Sequence, residues 1–141
     1  MTLQEKQLEI IDEFSVFEDW LDKYEYIIEL GKELPRIDTN KKIDLNLIEG
    51  CQSNVWLDAQ FSEGKMMFFA DSDAIITKGI IGLLIRVLND ECPEDIVKAD
   101  LFFINQIGLH EHLSLTRSNG LASMVQKMKF VSLSIIGNKA L

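Results

Sequence analysis

Leu3, Ile10, Ile11 and Phe14 recur at the spacing of one helical face. Thr2-Leu-Gln-Glu5 ahead of them has the form of a capping box, in which the threonine and glutamate side chains pair with each other's backbone amides. A first helix is therefore predicted to open at that box. Ser15-Val-Phe-Glu18 repeats the pattern and predicts a second helix, with Phe17, Trp20, Leu21, Tyr24, Ile27 and Ile28 on one stripe. Gly31 lies near its end and Pro35 prevents its continuation. Residues 36–46, rich in Asp, Asn and Lys, read as a surface loop. From Val55 the period changes to two: Val55, Leu57, Ala59 and Phe61 alternate with Trp56, Asp58, Gln60 and Ser62, as in a half-buried strand. Glu63-Gly64-Lys65 turns the chain and Met66 to Ala70 returns it as a hairpin.

Leu47-Ile48-Glu49 is read as a short third strand. Asp71-Ser72-Asp73 supplies caps for a helix reaching about Asn89, apolar nearly all round and so the buried centre of the fold. Pro93 suits the first turn of a short helix through Ile96 and Val97, and Asp100 is placed to cap another through Ile107. Leu121, Met124, Val125, Met128, Ile135 and Ile136 define a last helix, with Gly137 beyond it. Helices, a small antiparallel sheet of three strands, then helices make an α+β fold with the helices on one face of the sheet. The 141 residues form one domain, 1–141, without repeat, linker or low-complexity segment.

Composition adds a functional constraint. The net charge is −9, which argues against a partner as anionic as a nucleic-acid backbone or a lipid surface. The charge is uneven: residues 1–50 carry 13 acids and 6 bases, whereas residues 113–141 carry no acid and the bases Arg117, Lys127, Lys129 and Lys139. Such an end reads as a helix with a cationic last turn, or as half of an electrostatic docking surface. The N-terminus lacks the form of a secretory signal, and the run Ala74–Leu88 is too short to span a bilayer and is interrupted by Lys78 and Arg86. A cytoplasmic protein is expected, with its cysteines, Cys51 and Cys92, not disulfide-bonded.

The two thiols sit in different chemistry. Cys51 lies in Glu49-Gly50-Cys51-Gln52-Ser53, a polar loop at the sheet's edge. Gly50 gives the backbone freedom and leaves room beside the sulfur, and Gln52 and Ser53 are placed to hydrogen-bond a thiolate, the reactive form of cysteine. Local chemistry leaves a functional thiol and an inert one both open. Cys92, in Asp90-Glu-Cys-Pro-Glu-Asp95, is surrounded by carboxylates that oppose thiolate formation, and reads as incidental. His110-Glu-His112 lacks the i,i+4 spacing of helical metal ligands and reads as a polar helix end, so no metal site and no resident cofactor are expected. Gly79-Ile-Ile-Gly82 falls within the apolar helix and suits close helix packing rather than phosphate binding. A hydrolase built on Cys51 with His110 or His112 is a weak third reading, since nothing specifies an oxyanion hole.

Taken in order, Tyr26-Ile-Ile-Glu-Leu-Gly31, Leu34-Pro35, Ile48-Glu-Gly-Cys-Gln-Ser-Asn-Val-Trp56, Asp71-Ser-Asp-Ala74, Lys78-Gly79, Pro93-Glu-Asp-Ile-Val97, His112-Leu113 and Arg117-Ser-Asn-Gly-Leu121 resemble the SufE family of sulfur-acceptor proteins over about residues 17–128. The resemblance implies an accessory protein rather than an independent enzyme. It would take persulfide sulfur from a pyridoxal-phosphate cysteine desulfurase (SufS-like) onto Cys51 and pass it to an iron–sulfur scaffold complex (SufBCD-like), stimulating the desulfurase. The implied fold is that of the U-type scaffold proteins, as monomer or homodimer. Gly50, Gln52 and Ser53 would support the loop, with Gly50 as hinge, and Arg117 would stabilise the thiolate, dock the desulfurase or simply lie solvated in a first helical turn. Trp56 is expected to pack under a helix rather than cover the cysteine loop, and Asp71 and Asp73 to act as helix caps rather than catalytic acids. The rival reading is a noncatalytic regulator of the desulfurase in which Cys51 only packs the loop.

Overall fold

Thr2 Oγ1 accepts from Glu5 N at 3.1 Å and Glu5 Oε1 accepts from Thr2 N at 3.0 Å, so the expected capping box is made. Helix α1 runs Leu3–Ser15 and buries Ile10 and Phe14. The computed structural model describes residues 1–139. The second capping pattern is not used. Ser15 Oγ instead donates to Asp12 O at 2.6 Å, and Asp19 caps the next helix by accepting from Leu21 N at 2.9 Å. Helix α2 therefore spans Trp20–Gly31, and Phe17 lies outside it with its ring centroid 5.1 Å from that of Tyr26.

Strands β1 (Val55–Ser62) and β2 (Lys65–Ser72) pair antiparallel through a two-residue turn, Glu63-Gly64. Both turn residues have positive φ, 53° and 80°, matching the twist of a tight hairpin. Val55, Leu57, Met66, Phe68 and Ala70 share the buried face. The sheet has two strands, not the expected three. Leu47 makes one isolated bridge to Trp56 because a 3-10 turn, Asp44–Asn46, ends just before it and Gly50, at φ +91°, turns the chain away just after. No room remains for a ladder.

Residues 36–46 are a strap rather than a free loop. Arg36 bridges to Ala70 in parallel, and two 3-10 turns, Thr39–Lys41 and Asp44–Asn46, follow. Lys41 pairs with Asp58 at 3.1 Å and Lys42 with Asp71 at 3.0 Å, which ties the strap to the outer face of both strands. Trp56 belongs to that outer face, opposite the helices, with Lys42 Nζ 4.6 Å from its ring centroid. It does not pack under a helix as expected, because the strand's alternation sends it to the far side.

Helix α3 (Ile75–Leu88) is the buried centre that the apolar run predicts. Its N-cap is Ala74, without a side-chain cap; Asp71 and Asp73 are used elsewhere. At its crossing with α2 the backbones nearly touch, since a Cβ on Gly79 would lie 2.1 Å from Ile27 O and one on Gly31 would lie 2.9 Å from Gly79 N. Helix α4 (Pro93–Lys98) opens on its proline as expected. Helix α5 (Phe103–Gln106) does not use Asp100 as its cap: buried Gln7 of α1 accepts from Phe103 N and donates to Asp100 O, each at 3.2 Å. Short α6 (Leu109–His112) leads to α7 (Leu115–Lys139), longer than the apolar spacing predicts at both ends and running through Gly137. Its start is set by Ser114, whose Oγ accepts from Arg117 N at 3.3 Å. Lys139, one of the expected basic positions, has its side chain outside the described residues. Among the described residues no helix is long and apolar enough to cross a membrane.

Candidate cysteine site

The loop 49–54 is closed at its base and clipped at its exit. Ile48 N donates to Val55 O at 2.8 Å, joining the two ends. Asn54 is held by both of its backbone groups: its N–H donates to Asp73 Oδ1 at 3.1 Å and its carbonyl accepts from Ser72 Oγ at 2.8 Å. Ser72 Oγ also accepts from Ala74 N at 3.2 Å, which connects the loop to the start of α3. Asp73 thus braces the cysteine loop instead of capping the helix.

Gly50 occupies the left-handed region at φ +91°, and a Cβ there would lie 2.5 Å from Ser123 Oγ. Conformation therefore selects glycine, and any larger residue would also have to turn the Ser123 hydroxyl aside. The next residue, Cys51, lies half-buried against the buried Gly120 of α7 and donates its S–H to Gly120 O at 3.7 Å. Burial pushes this thiol above its ordinary pKa, because an apolar setting disfavours the charged form. At neutral pH the resting sulfur is a protonated thiol held by a backbone carbonyl.

That sulfur opens on a cleft of about 450 Å³ between the loop, the start of α3 and the start of α7. Gln52, Ser53, Asp73, Thr77, Arg117 and Met124 are among its lining residues. The structure thereby brings Cys51, Gln52, Ser53 and Arg117 to one cleft, with Gly50 behind it. The expected hydrogen bonding of the sulfur by its neighbours is not made: Gln52 is exposed, and Ser53 Oγ lies 3.5 Å from Thr77 Oγ1. Arg117 is exposed at the cleft and forms no salt bridge among the described residues. Ser123 escaped the reading of the sequence, and Gly120 entered it only within the block Arg117-Ser-Asn-Gly-Leu121, with no role beside the sulfur. A backbone carbonyl carries no residue signature, although Arg117, Gly120 and Met124 do share one helical face by spacing.

The other candidates lie elsewhere. Cys92, free and at the N-cap of α4, has its pKa raised: the Asp95 backbone amide lowers it, but the carboxylates of Asp95 and Glu94 together with burial outweigh that. His112 stacks on Trp20 with centroids 4.0 Å apart, its Nδ1 is 3.1 Å from Gly108 O, and its own carbonyl accepts from Tyr24 Oη. His110 is exposed. Neither histidine lines the cysteine cleft. No cluster of His, Cys, Asp and Glu able to hold a metal ion occurs among the described residues.

Comparison with known proteins identifies relatives of the chain. A family model described as the SufE, Fe–S metabolism associated domain matches residues 8–131. A SufE-like protein of Rhizobium etli is 41% identical over 126 residues, covering 86% of this chain and 85% of its own length. A SufE-like protein of Rhizobium meliloti is 37% identical over 128 residues, covering 86% of this chain and 90% of its own. Both carry names that leave them uncharacterized. The fold is similar to the solution structure of a hypothetical protein from Thermus thermophilus, with a TM-score of 0.77 at 20% identity, covering 94% of this chain and 96% of that one.

Proposed function

Because the chain belongs to the SufE family of Fe–S metabolism associated proteins, we propose that it is a cytoplasmic sulfur carrier whose working atom is Cys51 Sγ. In this reading a cysteine desulfurase presents a persulfide in the cleft. The Cys51 thiolate attacks the outer sulfur, the donor's S–S bond breaks, and the donor cysteine leaves as thiolate. One S–S bond is exchanged for another, so no oxidant or reductant is consumed. The loaded Cys51 then surrenders the sulfur to an iron–sulfur scaffold complex by the same chemistry. The protein carries sulfur and speeds the desulfurase; it is not an independent enzyme.

The observation that carries the reading is a single free thiol opening on the 450 Å³ cleft, on a loop clipped at both ends yet not sealed in the core. The raised pKa of the resting thiol fits a site that reacts only when docked: exposure on docking lowers the cost of forming thiolate. Arg117, at the cleft with its charge unspent on any described carboxylate, supplies a cation for the thiolate or for the desulfurase.

Intact mass after incubation with a desulfurase, its pyridoxal phosphate and cysteine tests this. The expected result is a gain of one or more sulfur atoms, reversible by reductant and absent in Cys51→Ser. Stimulation of the desulfurase with no adduct at any time point would replace the carrier by a noncatalytic regulator.

A further inference from the structure

The cleft is much larger than the sulfur atom it would serve. At about 450 Å³ it lies within the range of small-ligand sites, whereas an added atom the size of a water molecule needs only about 30 Å³. Its charged groups are also specific. Asp73 stands where the chain enters α3 and Arg117 in the first turn of α7; both are exposed, both line the cleft, and neither forms a salt bridge among the described residues. Asp73 spends one oxygen on Asn54 N. The cleft thus offers one anion, one cation and one sulfur, with the hydroxyl-bearing side chains of Thr77 and Thr116 among its lining residues.

We infer that this cleft takes a zwitterionic low-molecular-weight thiol, of the chemical class of free cysteine, and that such a thiol unloads the sulfur Cys51 carries. The inference rests on the carrier reading above and adds a second exit for the sulfur. The ligand carboxylate pairs with Arg117, its ammonium with Asp73, and its sulfur faces Cys51. The bound thiol loses its proton and attacks the outer sulfur of the Cys51 persulfide. The bond between that sulfur and Cys51 Sγ breaks, Cys51 leaves as thiolate, and the released proton returns to it. The number of S–S bonds is unchanged and no electrons leave the pair.

The test uses the full chain, loaded at Cys51 with inorganic polysulfide so that no desulfurase is needed, with unloading followed by intact mass. The thiols are cysteine, cysteamine, 3-mercaptopropionate and 2-mercaptoethanol, with rates corrected for thiol acidity. Cysteine is expected to be fastest. Arg117→Gln should slow cysteine and mercaptopropionate by about threefold to fivefold more than it slows cysteamine, the scale of one solvent-exposed ion pair, since any effect on the leaving Cys51 thiolate is common to all four thiols. Asp73→Asn, which keeps the acceptor for Asn54, should slow cysteine and cysteamine and spare mercaptopropionate. Rates that follow thiol acidity alone, in the wild type and both variants, would overturn the inference while leaving the carrier intact. Accumulation of a mixed disulfide at Cys51 with loss of hydrogen sulfide would also overturn it, since the inner sulfur would then be the one attacked. Failure of Cys51 to hold any sulfur from polysulfide would instead remove the carrier reading and this inference with it.

Discussion

At the scale of single residues the proposed chemistry turns on Cys51 and the glycine before it. Burial raises the thiol's pKa, so the folded protein prefers the protonated form. The stability this contributes is present below the unfolded thiol's pKa and is lost as pH rises through the higher folded value. Iodoacetamide alkylation of Cys51 should therefore titrate at a higher pH than the same cysteine in denaturant, and Cys51→Ser should remove the matching alkaline fall in stability. Gly50→Ala forces a side chain into a left-handed conformation and onto Ser123 Oγ. We expect a loss of about 1–2 kcal/mol and faster alkylation of Cys51, read by denaturant melts and a timed quench. The loop position of Cys51 was legible from its setting between Gly50 and Gln52, which differs visibly from that of Cys92 among carboxylates, but local chemistry left its role open and only the family resemblance singled it out. Its hydrogen-bond partner was not legible, because the Gly120 carbonyl is common to every residue type.

Most elements were legible where local spacing decides them, although the second capping pattern lost to Asp19 four residues on, and others were misread where a distant part of the chain decides. The capping box of α1, the hairpin and the proline start of α4 depend on neighbours in sequence. The start of α5 does not: its acceptor is Gln7, brought from α1 by tertiary packing. Asp73 likewise looked like a helix cap and instead holds Asn54. The Gly79-Ile-Ile-Gly82 spacing correctly pointed to close helix contact, but the two glycines are unequal. A Cβ on Gly79 meets the backbone of α2 at 2.1 Å, whereas one on Gly82 meets its nearest neighbours at 3.8 Å. Gly79→Ala should separate α2 from α3 and cost about 3 kcal/mol or more, at the upper end for overpacking. Gly82→Ala should be neutral or stabilise by up to about 1 kcal/mol through helix propensity. A pair of thermal melts decides between them.

For the molecule as a whole, α+β organisation followed from the order of the patterns, while the strand count did not, because a lone bridge and a strand share the same short apolar signature. Long-range charge contacts were equally hidden. Arg86 of α3 pairs with Glu9 at 2.7 Å and with both oxygens of Glu13 on α1, and Tyr26 Oη donates to Glu13. The Arg86 hydrogen bond is the main reason the Glu13 carboxyl titrates below its ordinary range. That contribution is present above the unfolded glutamate pKa and is lost as pH falls through the lower folded value. Arg86→Leu should therefore cost about 1 kcal/mol at neutral pH and flatten the acid limb of the stability profile. One further consequence concerns the wall behind the sulfur. Because the group that accepts the Cys51 S–H hydrogen bond is main chain, no point substitution can delete it; only turning the whole cylinder can. Adding one residue between Ser114 and Gly120 would rotate everything downstream by about 100°, swing that oxygen away from the loop, and leave the thiol facing a different stretch of the same helix.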